Sequence, residues 1–282
     1  MMKKLGFAGI LEVKRTKPLE GDFYGTDGLL HCGVCHEPKE IMQDMPDGLR
    51  DKLGETRIFP RRCACMRHDD EEQRRIEAEK EAAVKIDKAK RVCFPYHAMW
   101  EMDFAHDDGS NPEVTAFLRK YCKAFDAFRD KGAGLLFHGP VGTGKSFHAA
   151  QVANALIEQG YRVLYTSLSS LGARMQKSYG KDDVLGDICS YDCVILDDLG
   201  AERTTQTMNE YVFQIINALY TSETVMVFTT NLEMHQIAQS QDPDYQRIYS
   251  RILGRCKPVE VRGGDKRKSK SAEIGQLFRD LE

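Results

Sequence analysis

The chain has 282 residues, 41% of them apolar, with a formal net charge of −3 at pH 7. That length suits one large domain plus a small one, and the apolar share is enough for a packed core. Near-balanced charge gives no global signal for polyanion binding, so any nucleic-acid contact must come from a local patch. Two lysines and an apolar run over residues 3–11 resemble a signal peptide faintly, but the run is short and Glu12 and Lys14 break the apolar character directly after it. No run approaches the length of a membrane span. A soluble cytoplasmic protein with no membrane partner is the expectation. Nine cysteines are an odd number, and without an export signal they argue against a disulfide framework.

Four of those cysteines fall in the first segment, residues 1–70. Cys32-Gly33-Val34-Cys35 is a C-x-x-C knuckle, and Cys63-Ala64-Cys65 comes later as C-x-C. Two close pairs separated by a loop supply four soft thiolates, the donor set of a closed structural zinc site. Gly28 and Gly33 allow tight turns, and Arg61, Arg62 and Arg67 bring positive charge near the thiolates. His31, His36 and His68 could each replace a cysteine. Four unconnected reduced cysteines are the alternative. A zinc ion here would organise a module too poor in apolar residues to fold alone, which points to partner docking and not to catalysis.

Residues 71–92 form a linker rich in helix formers. Acidic residues come first and basic ones last, complementing the helix dipole. Ile76, Ala83 and Val84 give only a thin apolar stripe, so a solvated connecting helix is expected. Lys85, Lys88, Lys90 and Arg91 read as its solvated face before they read as a nucleic-acid patch.

The large domain, residues 93–268, opens on an aromatic lead-in over 94–104, either part of the core or a wrap for a nucleotide base. Residues 112–129 read as one helix, with Val114, Phe117, Leu118, Tyr121, Phe125 and Phe128 at helical spacing. Then comes Gly134-Leu135-Leu136-Phe137-His138, a buried strand, and Gly139-Pro140-Val141-Gly142-Thr143-Gly144-Lys145-Ser146, which fits G-x-x-x-x-G-K-[ST]. Residues 147–157 read as the helix after it. Strand, glycine-rich turn, helix is the setting a phosphate-binding loop needs. Glycines let backbone approach a phosphate, and free N–H groups at the helix start, Phe147 included, favour the anion. Lys145 reaches the β- and γ-phosphates and Ser146 ligates Mg²⁺, so ATP and Mg²⁺ are the expected cofactors.

Residues 162–166 read as the next strand and 168–179 as the next helix. Cys193-Val194-Ile195-Leu196-Asp197-Asp198 is an apolar strand ending in two carboxylates. Asp197 is placed to hold Mg²⁺ and Asp198 to activate the attacking water. A helix over 207–220 and a buried strand over 225–231 come next, with Asn231 at the strand end able to reach the γ-phosphate or its water. Residues 258–262 make a last short strand. Strands alternating with helices predict an α/β fold, a parallel sheet with helices on both faces. Its ligands bind at the carboxyl ends of the strands.

The order GPVGTGKS, VILDDLGAE, VFTTN and YSRI, over residues 93–268, closely resembles the AAA+ ATPases of the DnaC/DnaI helicase-loader group and the related IstB transposition helpers. The cysteine pairs resemble the zinc-binding N-terminal domain of DnaI-type loaders, less specifically. The resemblance implies a P-loop AAA+ core without the usual C-terminal helical lid, hence without a sensor 2 arginine. It implies Lys145 and Ser146 as Walker A, Asp197 and Asp198 as Walker B, and Asn231 as sensor 1. Arg251, in Tyr249-Ser250-Arg251-Ile252, becomes the arginine finger acting on a neighbour's site, with Arg247 as its rival; self-association through the ATP site is implied with it. The helix over 168–179, with Arg174 and Lys177, takes the place where loaders touch single-stranded DNA. One departure is Leu219, where relatives often carry arginine before the tyrosine. The tail, residues 269–282, is expected to be disordered or to touch DNA.

The leading expectation is therefore an ATP-dependent loader that grips a replicative helicase and binds single-stranded DNA. The runner-up is an IstB-like helper that binds duplex DNA and a transposase, and the core serves both. A P-loop kinase is disfavoured by the Thr-Thr-Asn strand end and the Ser-Arg-Ile element. A non-catalytic ATP-binding adaptor is disfavoured by the intact pair Asp197 and Asp198.

Overall fold

A computed structural model describes residues 15–178, 181–201 and 205–267, with four single residues beyond. The signal-like start, Tyr179 and most of the basic tail lie outside the described residues, so the tail and lid expectations fall largely on residues not described. The chain divides into two compact units, Met1–Ala83 and Val84–Glu282.

The first unit is built from short pairings. Strand β1 (Phe23–Tyr24) pairs antiparallel with β2 (Leu30–His31), and β3 (Glu40–Asp44) with β4 (Thr56–Pro60), around helix α1 (Asp47–Leu53). Its apolar centre is thin: Leu30, Cys32, Met45 and Cys63 are buried. Ion pairs fill what apolar side chains do not. Lys39 and Asp22 meet at 2.5 Å, with side chains 3% and 4% exposed, and the buried Glu40 accepts from Arg15 and from the Leu30 backbone. The long helix α2 (Ala64–Cys93) begins inside the second cysteine pair and carries only one buried residue, Cys93. Its start is earlier than the composition suggested, and the rest is the expected solvated helix.

In the second unit, α3 (Pro112–Lys123) and α4 (Phe125–Arg129) precede a five-stranded sheet. The single helix expected over 112–129 breaks at Ala124 (φ −104°, ψ 21°), and Phe125 turns inward to meet Tyr161 edge-on. The sheet consists of β5 (Gly134–His138), β6 (Val163–Ser167), β7 (Cys193–Leu199), β8 (Val225–Thr230) and β9 (Cys256–Glu260), in the order β6-β7-β8-β5-β9. Every pairing is parallel. Side chains alternate between two cores. Leu135, Phe137, Ile195 and Val227 face a cluster with α3 and α5 (Lys145–Glu158). Leu136, Val194, Leu196 and Phe228 face a second cluster. That one is formed with α6 (Leu168–Lys177), α7 (Lys181–Cys189), α8 (Gln206–Thr221), α9 (Met234–Ala238) and α10 (Pro243–Arg255). The result is the three-layer α/β core expected from the alternation of elements. No helix among the described residues is long and apolar enough to cross a membrane.

Candidate functional site

The loop between β5 and α5 is shaped by its own backbone. Gly142 and Gly144 take φ of +82° and +103°, a region that costs a side-chain-bearing residue. Thr143 is buried and donates to Pro140 O at 3.0 Å, closing the turn. Lys145, 6% exposed, donates through Nζ to Gly139 O (2.9 Å) and Pro140 O (2.7 Å). Burial pushes its pKa down, while the charges of Asp198 and Asp197 oppose that shift.

Sheet order explains how the carboxylates arrive. Strand β8 lies between β5 and β7, so its end bridges the loop after β5 and the acidic end of β7. Ser146 Oγ donates to Asp197 Oδ1 at 3.0 Å, and Thr229 Oγ1 donates to the same oxygen at 2.5 Å. Thr229 Oγ1 in turn accepts from the Asp198 backbone N–H at 2.9 Å. The pairing of β7 with β8 slips between Leu196 and Leu199, and Asp198 sits in that irregularity at φ +60°. Burial, then the charge of Asp197, raises the Asp198 pKa, with Lys145 and Arg267 pulling it down. Thr230 bonds Leu199 O and the Leu232 N–H, pinning the strand ends together. Asn231 is the next residue, exposed just past β8. The buried Thr229 touches the Asp197 carboxylate and the Asp198 backbone, and nothing in the sequence sets it apart from an ordinary strand residue.

A cavity of about 510 Å³ opens on this cluster. Ser146, Asp197 and Asp198 form its polar side, and Tyr96, Met99 and Tyr165 its less polar side. The aromatic lead-in thus divides: Phe94 and Met99 are core, whereas Tyr96 is 71% exposed.

Arg251 lies on α10, half-buried. Its Nε donates to Asn217 Oδ1 on α8 at 3.1 Å and its guanidinium lies 4.9 Å from the Phe213 ring centre. Arg247, one turn earlier, is exposed. Leu219 is fully buried on α8, a position the core fills with an apolar side chain. On α6, Arg174 pairs with Asp187 at 3.0 Å, and Lys177 is exposed.

In the first unit, Cys32, Cys35, Cys63 and Cys65 converge, with all four sulfurs within 4.8 Å of one another. Zinc–thiolate bonds near 2.3 Å put tetrahedral sulfurs ~3.8 Å apart, so the residues fit the ion. The backbone N–H groups of Cys65 and Glu37 point at Cys35 Sγ and favour its thiolate. All nine cysteines are free thiols. The histidines play other parts: His31 bonds His36 O (3.0 Å) and Asp27 (3.1 Å), and the metal-capable cluster found among the described residues contains only cysteines. Of the arginines expected near the thiolates, Arg62 pairs with Asp70 and Arg67 with Glu37. The cation that feels the charges of Cys32 and Cys63 is Lys39, a residue the spacing of the cysteines gave no reason to single out.

A phosphate-binding loop and paired carboxylates at the carboxyl end of a parallel sheet define a P-loop nucleotide-binding protein. Residues 68–274 match the IstB-like ATP binding proteins, and the chain belongs to that family. A putative insertion sequence ATP-binding protein of Sinorhizobium fredii is 35% identical over 107 residues, 37% of this chain and 36% of the relative. The replicative helicase loader DnaI of Bacillus subtilis is 25% identical over 167 residues, 55% of this chain and 52% of that one. The chain thus spans about half or less of the length of these curated relatives. A crystal structure of DnaI superposes with a TM-score of 0.51 at 23% identity, covering 64% of this chain and 99% of that one. The resemblance to DnaC/DnaI-type proteins read from the motifs is borne out in family and fold.

Proposed function

We propose that this chain is an ATPase that loads a replicative helicase onto single-stranded DNA. One observation carries the nucleotide half of that reading: Ser146 Oγ and Asp197 Oδ1 lie 3.0 Å apart beside the loop, with Asp198 next in line. In this reading the N–H groups of the loop and Phe147 hold the phosphates and Lys145 supplies charge at the β- and γ-phosphates. Ser146 and Asp197 offer adjacent oxygens to Mg²⁺, which when bound neutralises phosphate charge. Asp198, partly desolvated, accepts the proton of the attacking water. Thr229 fixes the Asp197 carboxylate and the Asp198 backbone. Asn231 orients the water from the strand end, and Arg251 completes the site of a neighbouring subunit.

The loader assignment rests on the first unit. Four cysteines that fit zinc build a rigid module which leaves Phe23, Tyr24 and Val34 exposed, and its small size suits docking to a helicase. A second reading, a transposition helper, is favoured by the 35% identity to an insertion sequence ATP-binding protein. ATPase assays with single-stranded and duplex DNA, at low and moderate salt, separate them. Stimulation by single strands, weakening with salt, and capture of a replicative helicase are expected. Equal stimulation by duplex DNA would move the helper reading ahead, and no hydrolysis at all would leave an ATP-binding adaptor.

A further inference from the structure

The segment after β9 turns back over the phosphate loop. Val261 N–H continues the β9 ladder by donating to His138 O at 2.9 Å, and Lys266 N–H then donates to Gly142 O at 3.0 Å. The contact is close: a Cβ at Gly142 would run into the Asp265 carboxylate and backbone. Asp265 Oδ1 accepts from Arg267 N–H at 3.0 Å, so its carboxylate caps the turn that carries the two cations. The Lys266 ammonium lies 3.3 Å from where a Cβ on Gly144 would stand, against the last residue before α5. It is held there by Asp108 of the lead-in loop at 2.8 Å, and its side chain is 35% exposed. That pairing, above all, takes the Asp108 carboxyl down to about 2. The Arg267 guanidinium is near enough to Lys145 and Asp198 to push the pKa of each downward.

Nothing in the core requires two cations at this place. The Lys266 backbone is pinned to a loop carbonyl, and its ammonium, paired with Asp108, stays partly exposed beside the loop. An ammonium has three donors, so it can keep Asp108 and still bond a phosphate oxygen. We propose that Lys266 is a phosphate-contacting residue of the nucleotide site, supplied in cis by the segment after β9. It adds positive charge to the cradle from a part of the chain that the loop motif does not include. The inference rests on the nucleotide reading of the P-loop and adds one residue to it. It predicts a preference for nucleotides with more phosphates, because only the β- and γ-phosphates bring charge to this cradle.

The test is equilibrium binding of fluorescent ATP, ADP and AMP analogues to the full chain, for wild type, Lys145→Ala, Lys266→Gln and Lys266→Arg. A charge-assisted hydrogen bond is expected to contribute about tenfold or more to affinity. Lys266→Gln should therefore weaken ATP by about tenfold or more and AMP little, with Lys266→Arg restoring most of the loss. Equal loss for ATP and AMP would mean that the segment only props the loop, and overturns the inference. Tighter ATP binding by Lys266→Gln overturns it too, since the segment would then be a plug that nucleotide displaces. If wild type fails to bind, or Lys145→Ala binds like wild type, the P-loop reading itself fails and takes this inference with it.

Discussion

Thr229 Oγ1 donates to Asp197 and accepts from the Asp198 N–H, so one buried hydroxyl ties the Asp197 carboxylate to the Asp198 backbone. Its replacement by valine keeps the shape and strands a backbone N–H in a part-buried place, a cost of about 1–3 kcal/mol. Groups that orient ligating residues typically matter by roughly 10- to 100-fold in activity. Thr229→Val should lower kcat for ATP hydrolysis by that order while nucleotide affinity stays close to wild type. A parallel collapse of affinity and folding would show that the hydroxyl serves the sheet and not the carboxylates. Asp198 makes a separate prediction. Burial and then Asp197 raise its pKa, so the folded state binds its proton more tightly than the unfolded chain. Such a group costs stability as pH rises past its unfolded value, and the full cost is present above its folded value. Asp198→Asn removes the charge and retains a residue tolerant of φ +60°. Without nucleotide or Mg²⁺, the variant should melt roughly 1–3 °C higher at neutral pH, the gain fading as the solution is acidified through the carboxylate range. A lower melting point at neutral pH would mean that Lys145 already offsets the charge.

The cysteine module makes its prediction as an element. Its buried apolar set is thin, and short strands β1 to β4 cannot stand by themselves. Zinc binding would then be folding free energy for this unit. The purified chain is expected to release roughly one zinc per molecule on thiol modification, matching one four-thiolate site. Chelation should open amide exchange over residues 22–67 and leave ATP binding in the other unit unchanged. Full protection after complete zinc removal would refute the structural role. Lys39 adds to this, since its removal leaves Asp22 covered and unpaired; Lys39→Met should bring the same opening at lower chelator concentration. The elements that could be read from sequence were those buried on both faces. Strands β5, β7 and β8 are unbroken apolar runs because a parallel sheet covered by helices leaves no polar face, and their ends moved by one residue at most. Strands β1 to β4 carry mostly exposed or half-buried side chains, so no alternation marked them. The break at Ala124 was invisible because helical spacing continues across it. Helix α10 does carry a sequence signal, though a fainter one than the motifs beside it: Asp242 caps it, Pro243 starts it, and Tyr245, Ile248, Tyr249 and Ile252 recur at helical spacing on its buried side. In the site, motif residues were legible because phosphate chemistry fixes their spacing. Thr229, Lys39 and Lys266 were not, because each acts through a neighbour brought close only by the fold.

At the scale of the whole molecule the open question is where the last positive charge at the γ-phosphate comes from. Arg247, Arg251 and Arg255 succeed one another at four-residue steps on α10. Arg255 is bound to Lys131 O (2.5 Å) and Glu223, and Arg251 to Asn217 and the face of Phe213. Arg251 is therefore tethered to its own α8, and two roles compete for it: a strut between helices, or a finger reaching a second subunit. The roles separate in mixtures. Lys145→Ala subunits have a dead site and an intact arginine; Arg251→Ala subunits have an intact site and no arginine. For a finger in trans, each alone should be inactive, and their mixture should regain hydrolysis at the interfaces where a whole site meets a whole finger. The loss in Arg251→Ala should reach roughly 10³- to 10⁵-fold, about 4–7 kcal/mol of transition-state stabilisation, with nucleotide still bound. A strut predicts the reverse: a lowered melting temperature, a modest loss of rate and no rescue on mixing. Arg247→Ala is the control for position, being exposed one turn away. If it fails and is rescued while Arg251→Ala is not, the finger lies on that turn and Arg251 is the strut that aims it.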